Sequence, residues 1–149
     1  MAAQPAERRA GELLPPRRLH PAERLRLAAE IVAAYVRARR ELRSVPIAEA
    51  VASLRHEPPS VATADARMLA EAWRLGRAVT RTLRLMPGDT RCLVRSLVLT
   101  QLLSRRGIPA KLVIGARTDP DFLAHAWVEY DGQPVLPTGD ESFGRLVEL

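Results

Sequence analysis

The single cysteine of this 149-residue chain, Cys92, lies where the sequence predicts the first turn of a helix. Unpaired N–H groups and the positive end of the helix dipole stabilise an anion at such a position. The thiolate is the reactive form of cysteine, and Arg91 and Arg95 would strengthen the positive potential around it. This pattern indicates a nucleophile, although a small buried side chain on an amphipathic helix explains a free cysteine equally simply.

A histidine in a predicted strand is the second candidate for chemistry. Residues 124–130 alternate so that His125, Trp127 and Glu129 share one face. A strand histidine that approaches the helix start can take the proton of Cys92 and later donate it to a leaving amine. A half-exposed histidine without a catalytic role is the alternative interpretation.

A catalytic triad also needs an acid that orients the imidazole. Four acids follow the histidine closely: Glu129, Asp131, Asp140 and Glu141. Asp131 has a structural role in an Asp-Gly turn, and Glu129 lies ~13 Å from the histidine along the same strand. Asp140 follows the return strand and can come back beside His125. We therefore predict Asp140, with the other three acids as open alternatives.

No metal or cofactor is expected from the remaining candidates. His20 precedes a helix and His56 lies beside two prolines, and neither makes a metal-ligand spacing with Cys92.

Helices are predicted first along the chain. Residues 21–42 carry apolar side chains at helical spacing behind Pro21, and a shorter helix follows around residues 47–54. The third predicted helix has Thr63 as its N-cap and ends at residues 86–89. For the fourth helix, the predicted caps are Asp89 or Thr90, and Gly107 and Pro109 end it.

Strands follow the helices. Residues 112–116 and 124–130 have strand character, and Asp131-Gly132 predicts a hairpin to a return strand over residues 133–136. Helices followed by an antiparallel sheet predict an α+β fold. We interpret residues 1–19 as a flexible basic arm and residues 20–149 as a single domain.

The charge and the aromatic content of the chain indicate which classes of partner to expect. The net charge of +6 raises the expectation of an acidic partner, but the aromatic residues (4%) do not interleave with basic clusters as in single-stranded nucleic-acid binders. Nucleic acid is therefore not expected as a partner. No apolar run approaches the ~20 residues of a membrane span, and we expect no secretory signal, because residues 1–18 carry arginines and no apolar stretch. A cytoplasmic location is expected.

Three segments together resemble a known family. Residues 92–97 (CLVRSL), 103–110 (LSRRGIPA) and 125–135 (HAWVEYDGQPV) are similar to the lasso-peptide maturation (leader) peptidases, which are related to the C-terminal part of the microcin J25-processing protein. These have a transglutaminase-like, papain-like core. The resemblance is strongest over residues 87–135 and implies a catalytic helix packed on a small antiparallel sheet.

The resemblance also implies an activity. Such enzymes are cysteine peptidases that remove the leader from a ribosomally made precursor peptide through a Cys–His–Asp triad, here Cys92, His125 and Asp140. Some relatives place the acid about a dozen residues after the histidine, where this sequence has Pro137. Trp127 is a candidate for shielding the imidazole or lining the peptide groove.

Partners follow from the same resemblance. They are the precursor peptide, a separate leader-recognition protein and an ATP-dependent lasso cyclase; at 149 residues the chain is expected to be the stand-alone peptidase half. A transglutaminase-like amidase or acyl-transferase and a non-catalytic basic binding protein remain the alternative functions.

Overall fold

A computed structural model describes residues 19–54, 65–88, 91–118, 121–136 and 143–149. The predicted basic arm, except Leu19, lies outside the described residues, as do His56 and Thr63. The elements in chain order are α1 (Pro21–Ser44), α2 (Ile47–Leu54), α3 (Ala66–Leu83), α4 (Cys92–Arg105), β1 (Lys111–Arg117), β2 (Leu123–Tyr130), β3 (Gln133–Pro134) and β4 (Gly144–Glu148). The predicted α+β fold is confirmed.

Two helix starts differ from the predicted ones. The N-cap of α3 is Asp65, whose side chain accepts a hydrogen bond from the backbone N–H of Arg67 (2.9 Å). Helix α4 begins at Cys92 with Arg91 as the preceding residue. The predicted caps Asp89 and Thr90 were therefore wrong, because the N-cap lies further along the chain, at Arg91. Cys92 becomes the first helical residue.

The end of α4 follows the sequence prediction. Gly107 has a φ of 69°, the left-handed conformation that glycine adopts without steric cost. Its N–H donates to the carbonyl of Ser104 (2.9 Å), and the N–H of Ile108 donates to that of Leu103 (3.0 Å). These two bonds form a Schellman motif, which ends the helix and directs the chain into β1.

The sheet has the strand order β3-β2-β1-β4, and all its pairs are antiparallel. The hairpin between β2 and β3 turns at Asp131 and Gly132, whose φ values are 49° and 70°. This is the predicted two-residue turn, in which both central residues need a positive φ. The return strand is shorter than predicted, and the edge strand β4 was not predicted at all.

Helix α4 is the central element of the core. It packs against α1, α3 and β2, and its side chains are buried from Ser96 to Leu103. Ion pairs join the three helices at its C-terminal end, where Arg106 bonds Glu30 of α1 (2.7 Å) and approaches Glu71 of α3 (3.9 Å). None of the described helices is long and apolar enough to cross a membrane.

Helix α3 approaches the sheet edge closely at Gly76. A Cβ at this position would lie 2.8 Å from the backbone oxygen of Val135, closer than real contacts allow. The side chains of Leu99 and Leu136 fill the remaining space around it. A glycine in the middle of α3 therefore has a packing reason, although glycine weakens helices in general.

Gly76→Ala tests this close approach. Helix propensity alone predicts a gain of about 1 kcal/mol, whereas overpacking against Val135 predicts a loss of about 1–3 kcal/mol in the free energy of unfolding. We expect the loss, measured by denaturant unfolding. The exposed Arg77→Ala should change stability by less than about 0.5 kcal/mol, and a more stable Gly76→Ala protein would contradict the packing.

Candidate active site

Cys92 is half-buried at the first position of α4. The first backbone bond of this helix runs from the N–H of Arg95 to the carbonyl of Arg91 (3.1 Å). The N–H groups of residues 92–94 thus have no acceptor within the helix. These donors, with the helix dipole, favour negative charge beside the cysteine sulfur.

The topology places the start of α4 and the start of β2 at the same end of the molecule. Strand β1 follows α4 after the tight turn at Gly107 and runs back along the helix, and β2 is antiparallel to β1. Helix α4 and strand β2 therefore run in the same sense. Cys92 begins the first of these elements, and His125 is the third residue of the second.

A buried hydrogen bond fixes this alignment. The hydroxyl of Ser96 donates to the backbone carbonyl of Ala126 at 3.0 Å. The carbonyl of Val128 points to the same edge of β2, because it accepts from the N–H of Val135 (2.8 Å). Cys92 lies one turn before Ser96 on the same helix face, and His125 directly precedes Ala126 in β2.

His125 lies between two aromatic rings. Its imidazole stacks on the indole of Trp127, with 6.1 Å between ring centroids and 19° between planes. Phe143, just before β4, lies on it at 5.5 Å with a tilt of 42°. Both contacts restrict the orientation of the half-buried imidazole. The role of Trp127, in shielding the imidazole or lining a peptide groove, stays a prediction.

Trp127 is itself held on two sides. Its Nε1–H donates to Oε1 of Glu129 at 2.7 Å. Gly115, which pairs with His125 in β1, lies under the indole, and a Cβ there would come within 2.9 Å of two ring carbons. The indole is 3% exposed as a result.

Glu129 continues this chain of contacts to β4. Its two oxygens accept hydrogen bonds from Arg145 at 3.2 and 2.9 Å. The bond to Glu129 is the main cause that raises the pKa of Arg145 above its ordinary value. Arg145 also pairs with Glu148 (2.6 Å), whose pKa is lowered by hydrogen bonds from Lys111 and then from Arg145.

The loop before Cys92 is braced from α1. The hydroxyl of Tyr35 donates to the carbonyl of Pro87 (3.4 Å), and Arg39 donates to the same hydroxyl oxygen (3.0 Å). Gly88 adopts a φ of 109°, and a Cβ there would lie 2.7 Å from Nη1 of Arg39. The chain can pass this close to Tyr35 and Arg39 only with glycine at this position.

The four candidate acids are placed differently. Glu129 bonds Trp127 and Arg145, and Asp131 is exposed in the hairpin turn. Asp140 and Glu141 lie outside the described residues. The assignment of Asp140 therefore stays a prediction.

Three contributors to the site were missed in the sequence. Ser96 carried one available signal, a small polar residue four positions after Cys92 on the core face of an apolar helix. Phe143 and Arg145 carried none, because they reach His125 and Glu129 only through the unpredicted strand β4. Within the described residues, no group of three or more His, Cys, Asp or Glu side chains is arranged to hold a metal ion.

One protein-family profile matches the part of the chain that contains α4 and the sheet. The profile of the Transglutaminase-like superfamily matches residues 32–148, which include α4 and the whole sheet. This chain belongs to the transglutaminase-like superfamily. That superfamily includes cysteine peptidase-like enzymes.

A shorter similarity points to one member of the wider family. The chain is 50% identical over 44 residues to the microcin J25-processing protein McjB of Escherichia coli. The match covers 30% of this chain and 21% of that relative, so the chain spans about a fifth of its length. No solved structure matches this transglutaminase-like chain.

Ser96→Ala tests the bond that aligns α4 with β2. The change leaves the buried carbonyl of Ala126 without its donor, and we expect a loss of about 1–3 kcal/mol in the free energy of unfolding. Ser44→Ala is the matched control, since that exposed hydroxyl bonds only a carbonyl of its own helix, that of Arg40. Equal effects of the two substitutions would contradict a structural role for Ser96.

Proposed function

We propose that this transglutaminase-like protein is a cysteine peptidase that removes the leader from a lasso-peptide precursor. Cys92 is the nucleophile, His125 the general acid and base, and Asp140 the acid that orients His125. The similarity to a microcin J25-processing protein supports the substrate class. The alternative acids Glu129 and Asp131 are less suitable, because one bonds Trp127 and the other is exposed in a turn.

The observation that carries the proposal is the bond from Ser96 to the carbonyl of Ala126. It holds the first turn of α4 against the strand segment that contains His125. A cysteine at a helix start and a strand histidine at the same end of the molecule are the two groups that thiolate chemistry uses.

The reaction proceeds in two half-reactions. The thiolate of Cys92 attacks the carbonyl carbon at the leader–core junction, and the C–N bond breaks as His125 donates a proton to the amine of the core peptide. The leader remains as a thioester. His125 then takes a proton from water, which attacks the thioester and releases the leader as a carboxylic acid. The N–H of Cys92 can donate to the oxyanion, worth about 2–4 kcal/mol at comparable sites.

The proposed partners follow from this role. The precursor peptide is the substrate, a separate leader-recognition protein delivers it, and an ATP-dependent lasso cyclase uses the core peptide after cleavage. The net charge of +6 suits an acidic leader complex. No cofactor is assigned to the reaction, because the Cys–His chemistry is complete with water as the second substrate.

Mass spectrometry of the products tests the activity. The protein is incubated with a lasso-peptide precursor and its leader-recognition protein, and we expect a leader that ends in a free acid and a core with a free amine. Cys92→Ala and His125→Ala should lower the rate by at least ~10³-fold. Asp140→Asn should lower it by about 10- to 10⁴-fold, whereas Asp131→Asn, in the exposed turn, should not.

Other outcomes separate the alternatives. A leader joined to an added amine would indicate the acyl-transferase reaction through the same thioester. Cleavage that persists in Cys92→Ala, or an intact precursor with the wild-type protein, would contradict the peptidase proposal.

A further inference from the structure

We propose that Glu129 is a positioning residue: through its hydrogen bond to Trp127 it fixes the indole that orients the imidazole of His125. The importance of His125 for catalysis rests on the proposed function. The positioning itself concerns contacts between described side chains and can be tested without a substrate.

The hydrogen bond between Trp127 and Glu129 sets the orientation of the indole ring. An indole has a single donor, Nε1–H, so one acceptor fixes the rotation of the whole ring. Oε1 of Glu129 lies 2.7 Å from it, a short distance typical of a charged acceptor. The two residues are two positions apart in β2 and share one face with His125, which stacks on the other part of the indole.

The carboxylate of Glu129 is buried. The Glu129 side chain is 8% exposed, whereas its partner Arg145 is 47% exposed. Burying a carboxylate has a desolvation cost, and an ion pair in such a place is weak evidence for added stability. A buried carboxylate with three hydrogen bonds is, in contrast, a rigid and directional acceptor. We infer that its contribution is orientation.

The indole of Trp127 also has no free space between it and the β1 backbone at Gly115. Two carbons of the Trp127 ring would lie 2.8 and 2.9 Å from a Cβ at Gly115. The indole therefore rests directly on the β1 backbone and cannot move further toward it. With the β1 backbone beneath the ring and Glu129 holding its nitrogen, the ring presents a fixed surface to His125, and Phe143 contacts the imidazole as well.

Several charged groups surround this arrangement and enter any pH measurement on it. Lys111 pairs with Glu129 across β1 and β2, and Arg117 of β1 lies over the ring of Phe143. From β4, Arg145 contacts Glu129 directly and Glu148 contacts Arg145. A suitable control therefore changes a charge on this side of the sheet and leaves the bond from Trp127 intact.

The experiment compares Glu129→Leu, Glu129→Gln and the control Glu148→Gln by NMR. The readouts are the indole N–H resonance of Trp127 and the pH titration of the His125 ring. In Glu129→Leu we expect the indole resonance to move upfield and the His125 titration midpoint to shift by about 0.5 pH unit or more. Glu129→Gln keeps an acceptor oxygen and should restore most of the wild-type behaviour, and Glu148→Gln should match the wild type in both readouts.

Gly115→Ala provides a second route in case Glu129→Leu does not fold. An added Cβ would come within 2.9 Å of the Trp127 ring and to 2.8 Å from the backbone oxygen of Gly144 in β4. It therefore crowds the indole and the strand that follows Phe143 without changing any charge, and it should shift the same His125 titration. Unchanged His125 titration in folded Glu129→Leu or in Gly115→Ala would overturn the proposal.

Kinetics separates this proposal from the proposed function. With a wild-type protein that cleaves the precursor, Glu129→Leu should lower kcat by roughly 10- to 100-fold, with KM changed less than about twofold. Full activity of that variant would overturn the positioning role and leave the peptidase intact. Shifted His125 titration in a chain that cleaves nothing would support the positioning role and refute the peptidase.

Discussion

The hydrogen bond from Ser96 to the carbonyl of Ala126 is the contact on which the candidate site depends. It joins the second turn of α4 to the edge of β2 that also pairs with β3. Apolar packing is not directional, so this bond adds a directional constraint near the start of α4. One polar bond in the core thus sets the register between the helix that begins at Cys92 and the strand that carries His125.

Two further sets of contacts act on the two sides of that bond. On the cysteine side, Tyr35 and Arg39 of α1 hold the loop at Pro87 and Gly88 from which the chain enters α4. On the histidine side, Trp127 and Phe143, which directly precedes β4, contact the imidazole. The N-terminal helix and the C-terminal strand therefore contribute to the site although neither carries one of its proposed reactive groups.

Much of this arrangement could be predicted from the sequence, because turn residues and helix-ending residues determine it locally. The turn at Asp131 needs two positive φ values, and Gly107 ends α4 with a Schellman motif, so both were predicted. The start of α4 was predicted slightly early, because Asp89 and Thr90 are good cap residues whereas Arg91 is not. Cys92 was nevertheless assigned correctly to the first turn.

The contacts that sequence reasoning missed are long-range ones. Strand β4 is short and fully exposed, and its sequence (GRLVE) has no alternation that would distinguish it from a loop. The partners it brings, Phe143 and Arg145, could not be assigned without it. Glu129 was weighed only as a possible triad acid, because its hydrogen bond to Trp127 depends on a rotamer that no sequence pattern specifies.

The most direct test of the account is the alkylation rate of Cys92 as a function of pH, in the native chain and in His125→Ala. The chain has one cysteine, so every label reports on the proposed nucleophile without a substrate or partner. If Cys92 and His125 form a pair, we expect a reactive thiolate whose titration midpoint lies at least one pH unit below ~8.5 and moves when His125 is removed. An ordinary thiol profile that is the same in both proteins would contradict a Cys92–His125 pair.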